Sequence, residues 1–122
     1  MFPSIKQEYQ CRCIQVTEQN RKQVELLLQG KIIDTPGHTS DSISFLLNDG
    51  SLFCGDAAMN GLPSLHRITI WIEDKTAFLK SWETIIALRP NLIYPGHGKP
   101  FEYEDLKINL KRAKNIELLP IQ

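Results

Sequence analysis

The feature that most constrains this chain is a turn that occurs twice. Thr35-Pro36-Gly37-His38-Thr39-Ser40-Asp41 is echoed by Tyr94-Pro95-Gly96-His97-Gly98, and Gly55-Asp56 lies between them. Each site follows an apolar run that reads as a buried strand: Lys31 to Thr35, Leu52 to Cys54, and Leu92 to Tyr94. Proline fixes its own φ and ends the hydrogen-bond ladder, and glycine permits a sharp turn behind it. The histidine that follows is aimed off the end of the sheet. Two histidines and one aspartate presented in this way can meet at a single point on the sheet's rim. Taken singly, each motif reads as an ordinary turn with a solvated side chain. The combination carries the functional reading.

The order is Thr-Pro-Gly-His-Thr, apolar strand, Asn-Asp-Gly turn, apolar strand, Gly-Asp, helix, apolar strand, Pro-Gly-His-Gly. In that order and spacing the chain resembles the C-terminal half of the metallo-β-lactamase-fold hydrolase superfamily. The signature-bearing part runs from about Gly30 to Phe101, within residues 1–122 read as one domain. The resemblance implies an α/β (α+β) fold, half of an αββα sandwich, with mainly one β-sheet covered by helices. It also assigns roles. His38 matches the histidine that completes a three-histidine metal site, Asp56 the carboxylate that bridges two metals, and His97 the histidine of the second site. Asp56 is by the same resemblance the expected catalytic residue. Imidazole suits zinc and iron, and a carboxylate can span two cations about 3.5–4 Å apart. Zinc is the expected cofactor, with iron and manganese as alternatives. A metal-bound hydroxide would attack an ester-like, amide-like or thioester bond of a small-molecule substrate.

The family's H-x-H-x-D-H motif, which supplies the remaining ligands, is nowhere in the sequence, whose only histidines are His38, His66 and His97. In the family, the residues matching His38 and His97 address different metals, so one ion would sit badly between them. The expectation is a chain that is metal-free or weakly metallated, and inactive as a hydrolase by itself. An absent partner sheet would leave an apolar face, with Ile43, Phe45, Leu47 and Phe53 among its residues, and hence a homo-oligomer. His66, Arg67 and Trp71 are candidates for substrate contact, because in the family this region lies near the substrate opening; the plainer reading makes it a covering loop with Trp71 packed in the core.

The rest of the chain is compatible with this picture. Fourteen basic and fourteen acidic residues balance, which suggests neither a nucleic-acid nor a membrane partner. No stretch approaches the roughly 18–20 apolar residues of a membrane-spanning helix, and no secretory signal is visible. Three cysteines suggest no disulfide framework, so a reducing cytoplasm is the simplest compartment. Tyr9 to Val16 reads as a strand with Cys11 and Cys13 packed on one face. Thr17 to Leu28 reads as a helix capped by Thr17 and ended by Gly30, with Val24, Leu27 and Leu28 as its apolar stripe. Asp74 to Leu88 is the clearest helix, with Phe78, Trp82, Ile85 and Ile86 on one face and Pro90 behind it. Glu102 to Asn115 is the last, turning Leu106, Leu110 and Ala113 inward.

Three functional readings follow: part of a metal-dependent hydrolase that needs its N-terminal half, a non-catalytic oligomerisation or binding module derived from one, and a homodimer that assembles a site from two copies.

Overall fold

The computed structural model describes residues 15–61 and 65–115. The strand read over Tyr9 to Val16, with Cys11 and Cys13, lies largely outside the described residues. Helix α1 spans Arg21–Leu28 and leads into strand β1, Gly30–Asp34. Strands β2, Ile43–Leu47, and β3, Ser51–Gly55, form a hairpin. Helix α2, Lys75–Leu88, crosses to strand β4, Leu92–Pro95, and helix α3, Tyr103–Asn115, ends the described fold.

The sheet has the order β1-β2-β3-β4, with the first two pairings antiparallel and β3–β4 parallel. The hairpin turn follows its composition. Gly50 takes a positive φ of 93° and donates its N–H to the Leu47 carbonyl, while the Asp49 side chain accepts from the Ser51 N–H. The parallel pairing needs the long crossover that α2 supplies. Asp74 caps α2 as its sequence position suggests, accepting from the Ala77 N–H at 3.1 Å.

Register assigns the faces. Leu46, Leu52 and Ile93 stand in one row against α2 and α3, where Phe78, Trp82, Ile85 and Leu106 complete the core. Ile32, Phe45, Phe53 and Tyr94 stand in the row on the opposite face. Phe53 and Tyr94 stack there with ring centroids 4.9 Å apart, and Phe53 is 45% exposed. Both sheet edges are closed by local groups. The Ile32 N–H donates to Glu25 Oε2 and its carbonyl accepts from Arg21 Nη2, each at 2.7 Å. On β4, Ile93 exchanges two backbone bonds with Phe101. Such closure removes the unpaired donors and acceptors through which edge strands aggregate.

Two sequence expectations are corrected. The first helix starts at Arg21 rather than Thr17, because Thr17 and Asn20 bond reciprocally in a turn ahead of it. Its leucines do not face a core: Leu27 is 71% and Leu28 50% exposed. The helix touches the sheet through Arg21 and Glu25 at the β1 edge, so its polar side chains, not its apolar stripe, set its orientation. Among the described residues no helix is long and apolar enough to cross a membrane.

Candidate functional site

Because β1 is antiparallel to β2 and β2 to β3, while β4 is parallel to β3, strands β1, β3 and β4 all run in one direction. Their C-terminal ends share one rim, and the residues just beyond them are His38, Asp56 and His97. The topology brings all three together. His97 Nδ1 lies 2.7 Å from Asp56 Oδ1, and His38 Nε2 lies 3.4 Å from Asp56 Oδ2. The carboxylate therefore sits between two imidazoles, one at each oxygen.

Each side chain is aimed by backbone packing. The Gly37 carbonyl accepts from the N–H groups of Glu73 and Asp74, and the Pro36 carbonyl from Ser81 Oγ at 2.7 Å. Gly37, at φ +140°, lies so close to α2 that an added Cβ would run into the Phe78 backbone. The His38 turn is thus seated on the start of α2. His38 Nδ1 lies 2.6 Å from the Trp71 carbonyl, which can only accept, so Nδ1 carries the proton. In the neutral ring the bare Nε2 then faces the Asp56 carboxylate. His97 is held through its own carbonyl, which accepts from the Asn60 N–H at 3.0 Å, and the Asn60 side chain donates to the Lys99 carbonyl.

The other candidates are placed differently. His66 is exposed at a positive φ of 57°. The Arg67 guanidinium is engaged by Asp105 Oδ2 at 2.8 and 3.1 Å and lies over the Phe101 ring, which ties the loop to α3. Trp71 is 54% exposed and contributes its carbonyl to His38, so the reading that packs it in the core is corrected. Near the end of β3, burial pushes the Cys54 thiol up to about 12, which leaves it protonated and unreactive at neutral pH.

Sequence reasoning missed the groups that hold Asp56. Three consecutive carbonyls there each have a separate donor: Gly55 takes the Gly96 N–H at 2.7 Å, Asp56 takes Thr69 Oγ1 at 2.6 Å, and Ala57 takes Trp82 Nε1 at 2.8 Å. Thr69 sits in a stretch without periodicity, and Trp82 reads as plain core from its helical spacing.

Comparison with known proteins bears on what this rim belongs to. The Caenorhabditis elegans "Beta-lactamase-like protein 2 homolog" is 38% identical over 96 residues, 75% of this chain. An archaeal metallo-β-lactamase superfamily structure from Sulfolobus tokodaii superposes on 76% of this chain with a TM-score of 0.58 and 26% identity. The chain belongs to the metallo-β-lactamase superfamily. An Erythrobacter litoralis metallo-β-lactamase shares the fold over 87% of this chain, with a TM-score of 0.62 at 20% identity. An Aspergillus fumigatus atrochrysone carboxyl ACP thioesterase is 32% identical over 79 residues, 64% of this chain. Protein-family models give no match. The chain spans only 23–30% of the curated superfamily relatives' lengths, and 36% and 50% of those two structures.

The superfamily's neighbours imply divalent metal use. The donors on this rim suit such an ion chemically. A bare imidazole nitrogen facing a carboxylate oxygen at 3.4 Å places two lone-pair donors side by side, the donor types that a divalent cation takes. The Nδ1 bond to the Trp71 carbonyl is the outer partner that orients a ligating histidine. Yet among the described residues no group of three His, Cys, Asp or Glu side chains is disposed to hold an ion. The two imidazoles approach different oxygens of Asp56, His97 at Oδ1 and His38 at Oδ2. The residues fit a metal as part of a ligand set.

Proposed function

We propose that this chain is part of a metal-dependent hydrolase, and that His38, Asp56 and His97 are its share of the metal ligands. The observation that carries the reading is the Asp56 carboxylate shared by the two imidazoles at the C-terminal rim. When bound, a divalent metal supplies Lewis acidity and acidifies a coordinated water towards neutral pH. This chain's residues supply orientation. The Trp71 carbonyl keeps the proton on His38 Nδ1 and leaves Nε2 to ligate, and Asn60 holds the His97 turn. An ester-like or thioester substrate is favoured by the similarity to a fungal thioesterase.

The test is elemental analysis of chain purified without chelator, together with hydrolysis of an aryl thioester. Alone, the chain is expected to hold well under one zinc per copy and to leave the thioester intact. Joined to an N-terminal superfamily half that carries H-x-H-x-D-H, it is expected to gain both metal and activity, and to lose them in His38→Ala. One tightly held zinc in the isolated chain, removed by His38→Ala, would show the ligand set to be complete as it stands.

The apolar row on the sheet face opposite α2 and α3 favours a second property, self-association. Phe45, Phe53 and Tyr94 form an apolar row that bears no charge, so two copies can meet across it without like-charge repulsion. Light scattering at micromolar concentration is expected to give a mass above that of the monomer. Phe53→Glu should shift it to the monomer with the helical circular dichroism retained; a parent protein that is already monomeric refutes the idea.

A further inference from the structure

The three candidate ligands come from three strands, yet a single connecting segment, residues 56–74, touches all of their turns. It places the Asn60 N–H on the His97 carbonyl, the Trp71 carbonyl on His38 Nδ1, and the N–H groups of Glu73 and Asp74 on the Gly37 carbonyl. Among the described residues of the segment, Thr69 reaches the site's central residue with its side chain: its hydroxyl donates to the Asp56 carbonyl at 2.6 Å.

Thr69 is 3% exposed, so water does not compete for that bond. The bond fixes the plane of the peptide that follows Asp56. The Gly96 N–H on the Gly55 carbonyl fixes the plane of the peptide that precedes it. With both flanking planes held, φ and ψ of Asp56 are set and its Cα–Cβ bond points in one direction. Only the two side-chain torsions remain, and the imidazoles at Oδ1 and Oδ2 select those. A hydrogen-bond donor at position 69 is therefore what aims the carboxylate, although it never touches the carboxylate itself.

We propose that Thr69 is the positioning residue for Asp56, acting through the Asp56 backbone carbonyl. The inference rests on reading His38, Asp56 and His97 as one site, but it needs neither metal nor hydrolysis to be tested. The experiment is nitrogen-15 NMR of the imidazoles in the whole chain, comparing the parent with Thr69→Val and Thr69→Ser. In the parent, the His97 Nδ1 proton is expected to be sheltered from exchange by its bond to Asp56. Thr69→Val keeps the shape and removes the donor, and the sheltered proton signal should be lost while backbone spectra stay folded. Thr69→Ser restores the hydroxyl and should restore the signal. A folded Thr69→Val protein with parent imidazole signals overturns the proposal. Should the valine variant not fold, Thr69→Ser decides: parent signals uphold the role of the hydroxyl, and altered ones overturn it. A parent without a sheltered His97 proton would instead remove the Asp56–His97 contact, and the reading of the site with it.

Discussion

Trp82→Ala is expected to destabilise the chain by about 3–5 kcal/mol, the usual cost of deleting a large buried aromatic side chain. Trp82 is fully buried, packs against Phe78 with centroids 5.4 Å apart, and lies at the centre of the core between α2 and the sheet. Its loss also strands the Ala57 carbonyl, which accepts from Trp82 Nε1 at 2.8 Å. A buried acceptor without a partner costs about 1–3 kcal/mol. Small domains have only about 5–15 kcal/mol in total, so this one substitution removes much of it. Trp82→Phe separates the two contributions, since it keeps most of the volume and loses the donor. Urea denaturation followed by circular dichroism should place the phenylalanine variant between parent and alanine. An alanine variant within about 1 kcal/mol of the parent would contradict the packing described here.

Gly98→Ala is the second large effect, and it acts on the site. Gly98 has φ +102°, a conformation that side chains rarely adopt, and an added Cβ would run into the Asn60 carbonyl. Backbone strain of that kind costs about 1–3 kcal/mol, and forced overpacking adds about 1–3 kcal/mol. The clash is with backbone on both sides, so no side chain can give way. Relief requires the His97 turn to part from Asn60, which breaks the Asn60 N–H bond to the His97 carbonyl. The expected result is a lower melting temperature together with faster hydrogen exchange at the Asn60 amide. Gly55→Ala is the matched control: Gly55 also has positive φ, +55°, but no atom lies within 4 Å of its missing Cβ. It should cost only the left-handed penalty of about 1–2 kcal/mol. Equal losses in the two variants would mean that conformation, not crowding, requires glycine at position 98.

Both effects show where reading along the chain stops. Pro-Gly-His reads as a turn, and glycine as the residue that lets the chain bend. The bend accounts for only part of the requirement. Gly37 is pressed against the Phe78 backbone and Gly98 against Asn60, and those contacts join residues about forty positions apart. No local pattern encodes them. Helix α1 shows the converse. Leu26, Leu27 and Leu28 supply an apolar run that suggests burial, but the helix docks through Arg21 and Glu25 on the exposed hydrogen-bonding groups of β1. An unsatisfied strand edge is a feature of the assembled sheet, and it outweighed the helix's own periodicity.

What the sequence determined by itself is the set of elements and the identity of the chemistry-bearing residues. Period-2 and period-3.6 patterns, the Asp49-Gly50 turn and the Asp74 cap are local, so the strands, the hairpin and α2 follow from them. The placement of His38, Asp56 and His97 just past strand ends was legible for the same reason. Only the tertiary structure decided that the three strands run the same way, so that these residues meet, and that the imidazoles take opposite oxygens of Asp56. It alone supplied the donors to the Gly55, Asp56 and Ala57 carbonyls, from Gly96, Thr69 and Trp82. Hydrogen bonds between residues 13 to 41 positions apart depend on strand direction and helix docking. Those are properties of the packed whole, and residue spacing does not carry them.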